Sequence, residues 1–164
     1  MLSKTSQKRR TRMVQKIHLV PDRYHLIDVG QLNDGNNYWI DVQLGSEAMD
    51  TRDFVAVYIF DNAGKLIDSE IIDLGLRSDP NALQARDVIK QQKSRIGVGR
   101  AGIFGRKRES FWVQPFSVKA HRLVFGLVVR EPEEDDVEMP PMVDALPGWT
   151  LVFYPPWEDG QYDT

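Results

Sequence analysis

FVAVYIF-DNAG-KLIDSEIIDLG, residues 54–75, is the stretch that decides the fold. Phe54 to Phe60 is short, rich in Val, Ile and aromatics, and apolar at consecutive positions, which predicts a central strand covered on both faces. Asp61-Asn62-Ala63-Gly64 supplies a turn. Residues 65–74 then return, with Ile67 and Ile71 facing one way and Leu66, Ile72 and Leu74 partly the other. The unit is a β-hairpin.

Upstream, the pattern is strand-like from Ile17. Residues 24–29 (YHLIDV) and 37–44 (NYWIDVQL) flank Asn33-Asp34-Gly35, and Asp-Gly tolerates the positive φ of tight hairpins. Tyr38, Ile40, Val42 and Leu44 alternate with Trp39, Asp41 and Gln43, a period of two with one face buried. Downstream, Asp79-Pro80 reads as a cap followed by proline at the first helical position, and predicts a helix over about 80–93. Its stripe of Ala82, Ala85, Ile89 and Ile96 is modest, so it is a surface helix. Residues 97–108 (GVGRAGIFGRKR) read as a loop. Residues 111–118 and 121–130 read as strands, with Pro115 placing the first near an edge or bulge. Residues 131–141 (EPEEDDVEMPP) form an acidic linker. A last strand, 149–154, stops at Pro155-Pro156. Seven or eight short strands with one helix predict a mainly β (α+β) fold: an antiparallel β-sandwich or partly open barrel.

With 164 residues the chain is sized for one domain. The expected division is a disordered basic arm (1–15), a β-rich domain (16–157) and an acidic tail (158–164). The arm carries Lys4, Lys8, Arg9, Arg10 and Arg12, with only Met13 and Val14 to pack. It is Arg-rich and acid-free, as organellar transit peptides are, but no apolar segment follows to make a secretory signal. The absence of cysteine excludes disulfides, thiolate metal sites and thiol nucleophiles. No run approaches the ~18 apolar residues of a membrane helix. Both fit a cytoplasmic protein.

Charge is strongly skewed along the chain. Residues 1–130 carry 21 Lys/Arg against 14 Asp/Glu, a formal +7, while 131–164 carry no Lys or Arg and ten carboxylates, a formal −10. Such opposed fields point to a binding face or to neutralisation within the fold. The loop 97–108 and its flanks hold Lys90, Lys93 and Arg95 besides Arg100, Arg106, Lys107 and Arg108. Beside Phe104, Phe111 and Trp112, these cations suit phosphates and stacked bases. Polyanion binding through Arg9, Arg10, Arg12, Arg100, Arg106, Lys107 and Arg108 is therefore one expectation. Its structural counterpart is a solvated basic loop that meets the acids of 131–138.

The remaining motifs are weak. Gly97-Val98-Gly99-Arg100-Ala101-Gly102 matches G-x-G-x-x-G, but a dinucleotide site needs a strand before it and a helix after, and here the order is reversed. His18, His25 and His121 are scattered without metal-ligand spacing. Asp61-Asn62-Ala63-Gly64 lacks the alternating oxygens and closing Glu of a calcium loop. No G-x-S-x-G is present, and the carboxylate pairs available for hydrolysis are Asp28 with Asp41 and Asp68 with Glu70. Trp149, Phe153, Tyr154, Pro155, Pro156 and Trp157 form the densest aromatic cluster, which either closes the core or exposes a Pro-Pro-Trp docking peptide.

The segments FVAVYIFDNAGKLIDSEIIDLG (54–75), PFSVKAHRLVFGLV (115–128) and LPGWTLVFYPPWEDGQYDT (146–164) resemble, in that order, a group of small single-domain bacterial proteins of uncharacterised activity. The resemblance spans about residues 30–164 and implies no cofactor, metal or catalytic residue. Taken together, the expectation is a non-enzymatic interaction domain, adaptor or immunity-like, that binds a protein partner through Trp112, Tyr154 and Trp157. The alternatives are nucleic-acid binding by the seven cations above, and a hydrolase or small-ligand binder, which requires a concave pocket with convergent polar groups.

Overall fold

The 54–75 stretch folds as its pattern predicts, within a computed structural model that describes residues 13–47, 50–98, 109–133, 135, 139–149 and 151–164. The elements in chain order are β1 (Ile17–Leu19), β2 (Asp28–Gln31), β3 (Asn37–Glu47), β4 (Asp50–Phe60), β5 (Leu66–Leu76), α1 (Ala85–Arg95), β6 (Phe111–Val113), β7 (Phe116–Ala120), β8 (Leu123–Arg130), β9 (Met142–Leu146), β10 (Val152–Phe153) and β11 (Tyr162–Asp163). A 3-10 turn covers Trp157–Asp159.

All pairing among the described residues is antiparallel. One sheet runs β2-β3-β4-β5, a second runs β11-β10-β9-β8-β7, and β1 pairs β6 in a short ribbon. The mainly β, sandwich-like arrangement is the one expected. Alternation along each strand divides the apolar residues between two layers. Trp39, Phe54, Tyr58 and Phe60 of the first sheet meet Phe125, Leu127, Val143 and Phe153 of the second, with Ile17, Phe111 and Trp157 in the same core. The other face of the first sheet, through Tyr38, Ile40, Val55, Val57, Ile59 and Leu74, packs on Val88 of α1. Strand β4 is thus buried on both faces, as its unbroken apolar run requires.

The ribbon is held to the β4–β5 turn. Gly64 O accepts the Gln114 N–H at 2.8 Å. A Cβ on Gly64, whose φ is +79°, would lie 2.4 Å from the Trp112 carbonyl oxygen, so only glycine permits this approach.

Several boundaries differ from the sequence expectation, each for a local reason. Residues 24–27 are not a strand, because Asp22 Oδ1 accepts the N–H groups of Tyr24, His25 and Leu26 and holds them in a loop. The Asp79-Pro80 cap belongs to a turn: Asp79 accepts from the Asn81 and Ala82 N–H groups, and the helix starts at Ala85. Its buried positions become Val88 and Gln92, with Ala85, Ile89 and Ile96 beside them. Pro115 divides 111–118 into two strands that join different sheets. The strand expected over 149–154 shortens to β10, while β9 pairs with β8 where no strand was expected. The expected acidic tail contributes β11, whose Tyr162 hydroxyl donates to Asp22 Oδ2.

Candidate functional site

Several cations of the described body pair with acids of the same body. Lys93 reaches Asp28 on β2, and Arg95 reaches Glu70 on β5 at 2.6 Å. Since β2 and β5 are the two edges of their sheet, these pairs fasten the last turn of α1 across it. Arg52 pairs with Asp73 and Arg77 with Asp53. The seven cations expected to hold a polyanion, Arg9, Arg10, Arg12, Arg100, Arg106, Lys107 and Arg108, lie outside the described residues, as do Gly99 to Gly102 of the glycine motif. The expected contact of 131–138 with 95–108 also falls largely outside them.

The acids of the last third are arranged differently. Glu131, Glu133, Asp135, Asp159 and Asp163 are exposed, and among the described residues none makes an ion pair with a basic side chain. Asp144 is the exception. Its side chain is buried, and Arg130 grips it as a fork, Nε donating to Oδ2 at 2.8 Å and Nη2 to Oδ1 at 3.1 Å. The Arg130 guanidinium also lies 5.6 Å from the centre of the Trp149 ring.

These residues share a surface. In β8, Phe125 and Leu127 point to the core, so Val124, Val128 and Arg130 face outward; in β9, Val143 and Ala145 point inward and Met142 and Asp144 outward. The register then sets Val128, Asp144, Val152 and Asp163 side by side on four adjacent strands. Helix α1 packs on the other sheet, and Val124 and Trp149 remain 37% and 55% exposed. The outer face of the five-stranded sheet therefore carries a row that alternates valine and aspartate, with the buried Asp144 carboxylate gripped by the half-exposed Arg130.

Trp112, Tyr154 and Trp157 do not converge on this face as a set. Trp112 is part-exposed and stacks on His18, its paired residue across the β1–β6 ribbon, at 4.1 Å between ring centres. Tyr154 is half-buried. Trp157 is buried in the core, so the Pro-Pro-Trp segment folds back and does not form an exposed docking peptide. His25 lies edge-on to Tyr162, and among the described residues no group of three or more acids and histidines could hold a metal. The Asp61 carboxylate accepts the N–H groups of Ala63 and Lys65, as a β-turn requires.

The carboxylate pair Asp28–Asp41 is not formed. Asp28 faces α1, whereas Asp41 faces the inter-sheet core with Trp39 and Gln43. Asp41 is buried, accepts from the Gln43 amide and the Val42 N–H, and has no cation beside it among the described residues. Burial pushes its pKa up to about 7 despite those hydrogen bonds. Burial together with the Asp41 charge also pushes Tyr58 up. Glu70, of the second candidate pair, is held by Arg95.

Arg130, Asp144 and Trp149 were not singled out as a group by the sequence. The available signal was Arg130 as the last cation and Asp144 as an acid between Val143 and Ala145. Their meeting depends on the β8–β9 register, which no local pattern encodes. No helix among the described residues is long and apolar enough to cross a membrane. No protein-family profile, curated protein or solved structure matches the chain.

Proposed function

We propose that this chain is a non-catalytic interaction domain whose five-stranded sheet docks a protein partner with a basic surface, in an adaptor or immunity-like role. The observation that carries the proposal is the outward row Val128, Asp144, Val152 and Asp163, together with the exposed acids Glu131, Glu133 and Asp135 that follow β8 in the chain and, like Asp163, have no ion-pair partner among the described residues. Such charges steer encounter and exclude wrong partners, while apolar contact supplies affinity. Asp144 is locked in its fork with Arg130, so the face offers charge and contact area, not a free acid or base.

The test is capture from nuclease-treated native lysate with two full-length baits, the wild type and a variant with Glu131, Glu133, Asp135 and Asp163 changed to Gln or Asn. A basic protein retained by the first bait and lost from the second is expected. Its association rate with the purified wild type should fall steeply between about 50 and 200 mM salt. Equal retention by both baits, or recovery of nucleic acid alone, would overturn the proposal.

A further inference from the structure

Away from that face, β3, β4, β5 and the β7–β8 turn border an open pocket of about 280 Å³, lined among others by Arg52, Phe54, Asp73, His121, Arg122 and Leu123. The turn is the unusual part. Ala120 pairs with Leu123, so His121 and Arg122 are its two central residues, with φ of 49° and 63°. A two-residue turn with both φ positive is the type that favours Asn-Gly, because a Cβ is disfavoured at both positions. Here both positions carry large side chains, and both side chains line the cavity.

His121 has a positioning role. Its Nε2 hydrogen-bonds to the Ile71 carbonyl of β5 at 3.1 Å, and its ring lies against Phe54 with centres 5.4 Å apart. That clamp fixes the turn over the cavity. The Arg122 guanidinium, in contrast, has no ion-pair or side-chain hydrogen-bond partner among the described residues.

Arg52 is held ready. Its Nε and Nη2 engage the Asp73 carboxylate at 2.9–3.1 Å, and Asp73 also accepts the Gly75 N–H at 2.8 Å. Burial alone would raise the Asp73 pKa. The Arg52 and Gly75 hydrogen bonds and the charges of Arg52 and His121 outweigh that and lower it, so the carboxylate stays ionised. The second terminal nitrogen of Arg52 takes no part in that pair.

The lining thus brings Arg52, paired with Asp73, and Arg122 to one pocket with Phe54 and Leu123. A Cβ on Gly45 would lie 2.5 Å from Leu123 Cδ1 and 2.6 Å from Phe54 Cε2, so the bare β3 backbone closes that wall.

We propose that this cavity binds a small oxyanion, a carboxylate or a phosphate, that carries a short apolar body. Arg122 and the free end of Arg52 take the anionic head, since guanidinium forks match both groups. Phe54 and Leu123 take the body. The volume lies at the small end of ligand pockets, which suits a single ring and excludes a nucleotide. The turn keeps an unfavourable backbone because its two side chains are needed there: His121 for position, Arg122 for charge.

The experiment is titration of the full-length ¹⁵N-labelled chain with phenyl phosphate and, separately, benzoate, following the amides of Gly45, Arg122 and Leu123. Saturable shifts at these amides are expected, and the tighter of the two probes identifies the head group. Arg122→Gly should weaken binding by about tenfold or more. It should leave the unfolding midpoint equal or higher, because glycine suits φ 63°. Lys119→Gln, a change at an exposed cation nearby in sequence, should leave binding unchanged. No saturation by either probe, equal binding by Arg122→Gly, or an equal loss in Lys119→Gln would overturn the proposal.

Discussion

Among the described residues each of the two large sheets buries one carboxylate, and the two are stabilised in opposite ways. Asp144, on the five-stranded sheet, is 2% exposed and lies in a bidentate pair with Arg130; Asp41, on the four-stranded sheet, is 7% exposed with no described cation beside it. The cause is architectural. No described helix or strand packs on the outer face of the five-stranded sheet, so an arginine stem can cross it with its head partly in water. The inner face of the four-stranded sheet is closed by the other sheet, and its second face by α1. A cation reaching Asp41 would itself be desolvated, and the carboxyl holds its proton instead. An open layer accommodates charge with a counter-charge; a closed layer accommodates it with a proton.

The largest expected consequence is a stability that depends on pH through Asp41. Unfolded, its carboxyl titrates near the ordinary 3.8; folded, near 7. Between those values the native state binds a proton that the unfolded state has released, so stability falls as pH rises. The full difference across the window is on the order of 4 kcal/mol. Urea midpoints at about pH 4 and pH 8 should show it, and Asp41→Asn should flatten the profile and exceed the wild type at the upper end. A wild-type profile as flat as that of the variant would break the contrast between the two layers.

Next in size is the difference between the outer faces themselves. Ile40 lies between the four-stranded sheet and α1, and Ile40→Ala should cost about 3 kcal/mol. Val124 lies on the face that no described element covers, and Val124→Ala should cost about 0.5 kcal/mol or less. Similar losses at both sites would mean that the second face is also covered in solution, and would remove the surface proposed for docking.

The same contrast explains what could be read from the chain. The hairpin 54–75 was legible because β4 is buried on both faces and its turn satisfies its own backbone: Asp61 accepts from Ala63, Gly64 and Lys65. Strands β9 and β11 are five and two residues long, and β9 carries an acid at its centre, so neither periodicity nor an apolar run marks them; β10 was legible only as part of a longer strand over 149–154. The helix start was misplaced because an Asp-Pro pair suits a turn as well as a cap. Of the candidate sites, the excess acid of the last third was visible as composition. The Arg130–Asp144 fork and the Arg52–Asp73–Arg122 cavity were not, since both are made by residues 14 or more apart that only the sheets bring together.

The smallest expected effects come from the ion pairs, and they separate by depth. Arg130→Met would leave Asp144 buried without its partner, a loss of about 2 kcal/mol once discounted for the half-exposed Arg130. Adding Asp144→Asn should recover most of it, because the isolated charge is then gone. Arg77→Met removes a pair that is equally short, at 2.7 Å, but open to water, and should leave the urea midpoint unchanged. The two arginines make similar hydrogen bonds to their aspartates, so contact geometry alone predicts equal losses. A marked shift for Arg130 with none for Arg77 would instead assign the stability of the fork to the desolvation of Asp144, the property that distinguishes the carboxylate of the open layer from an ordinary surface pair.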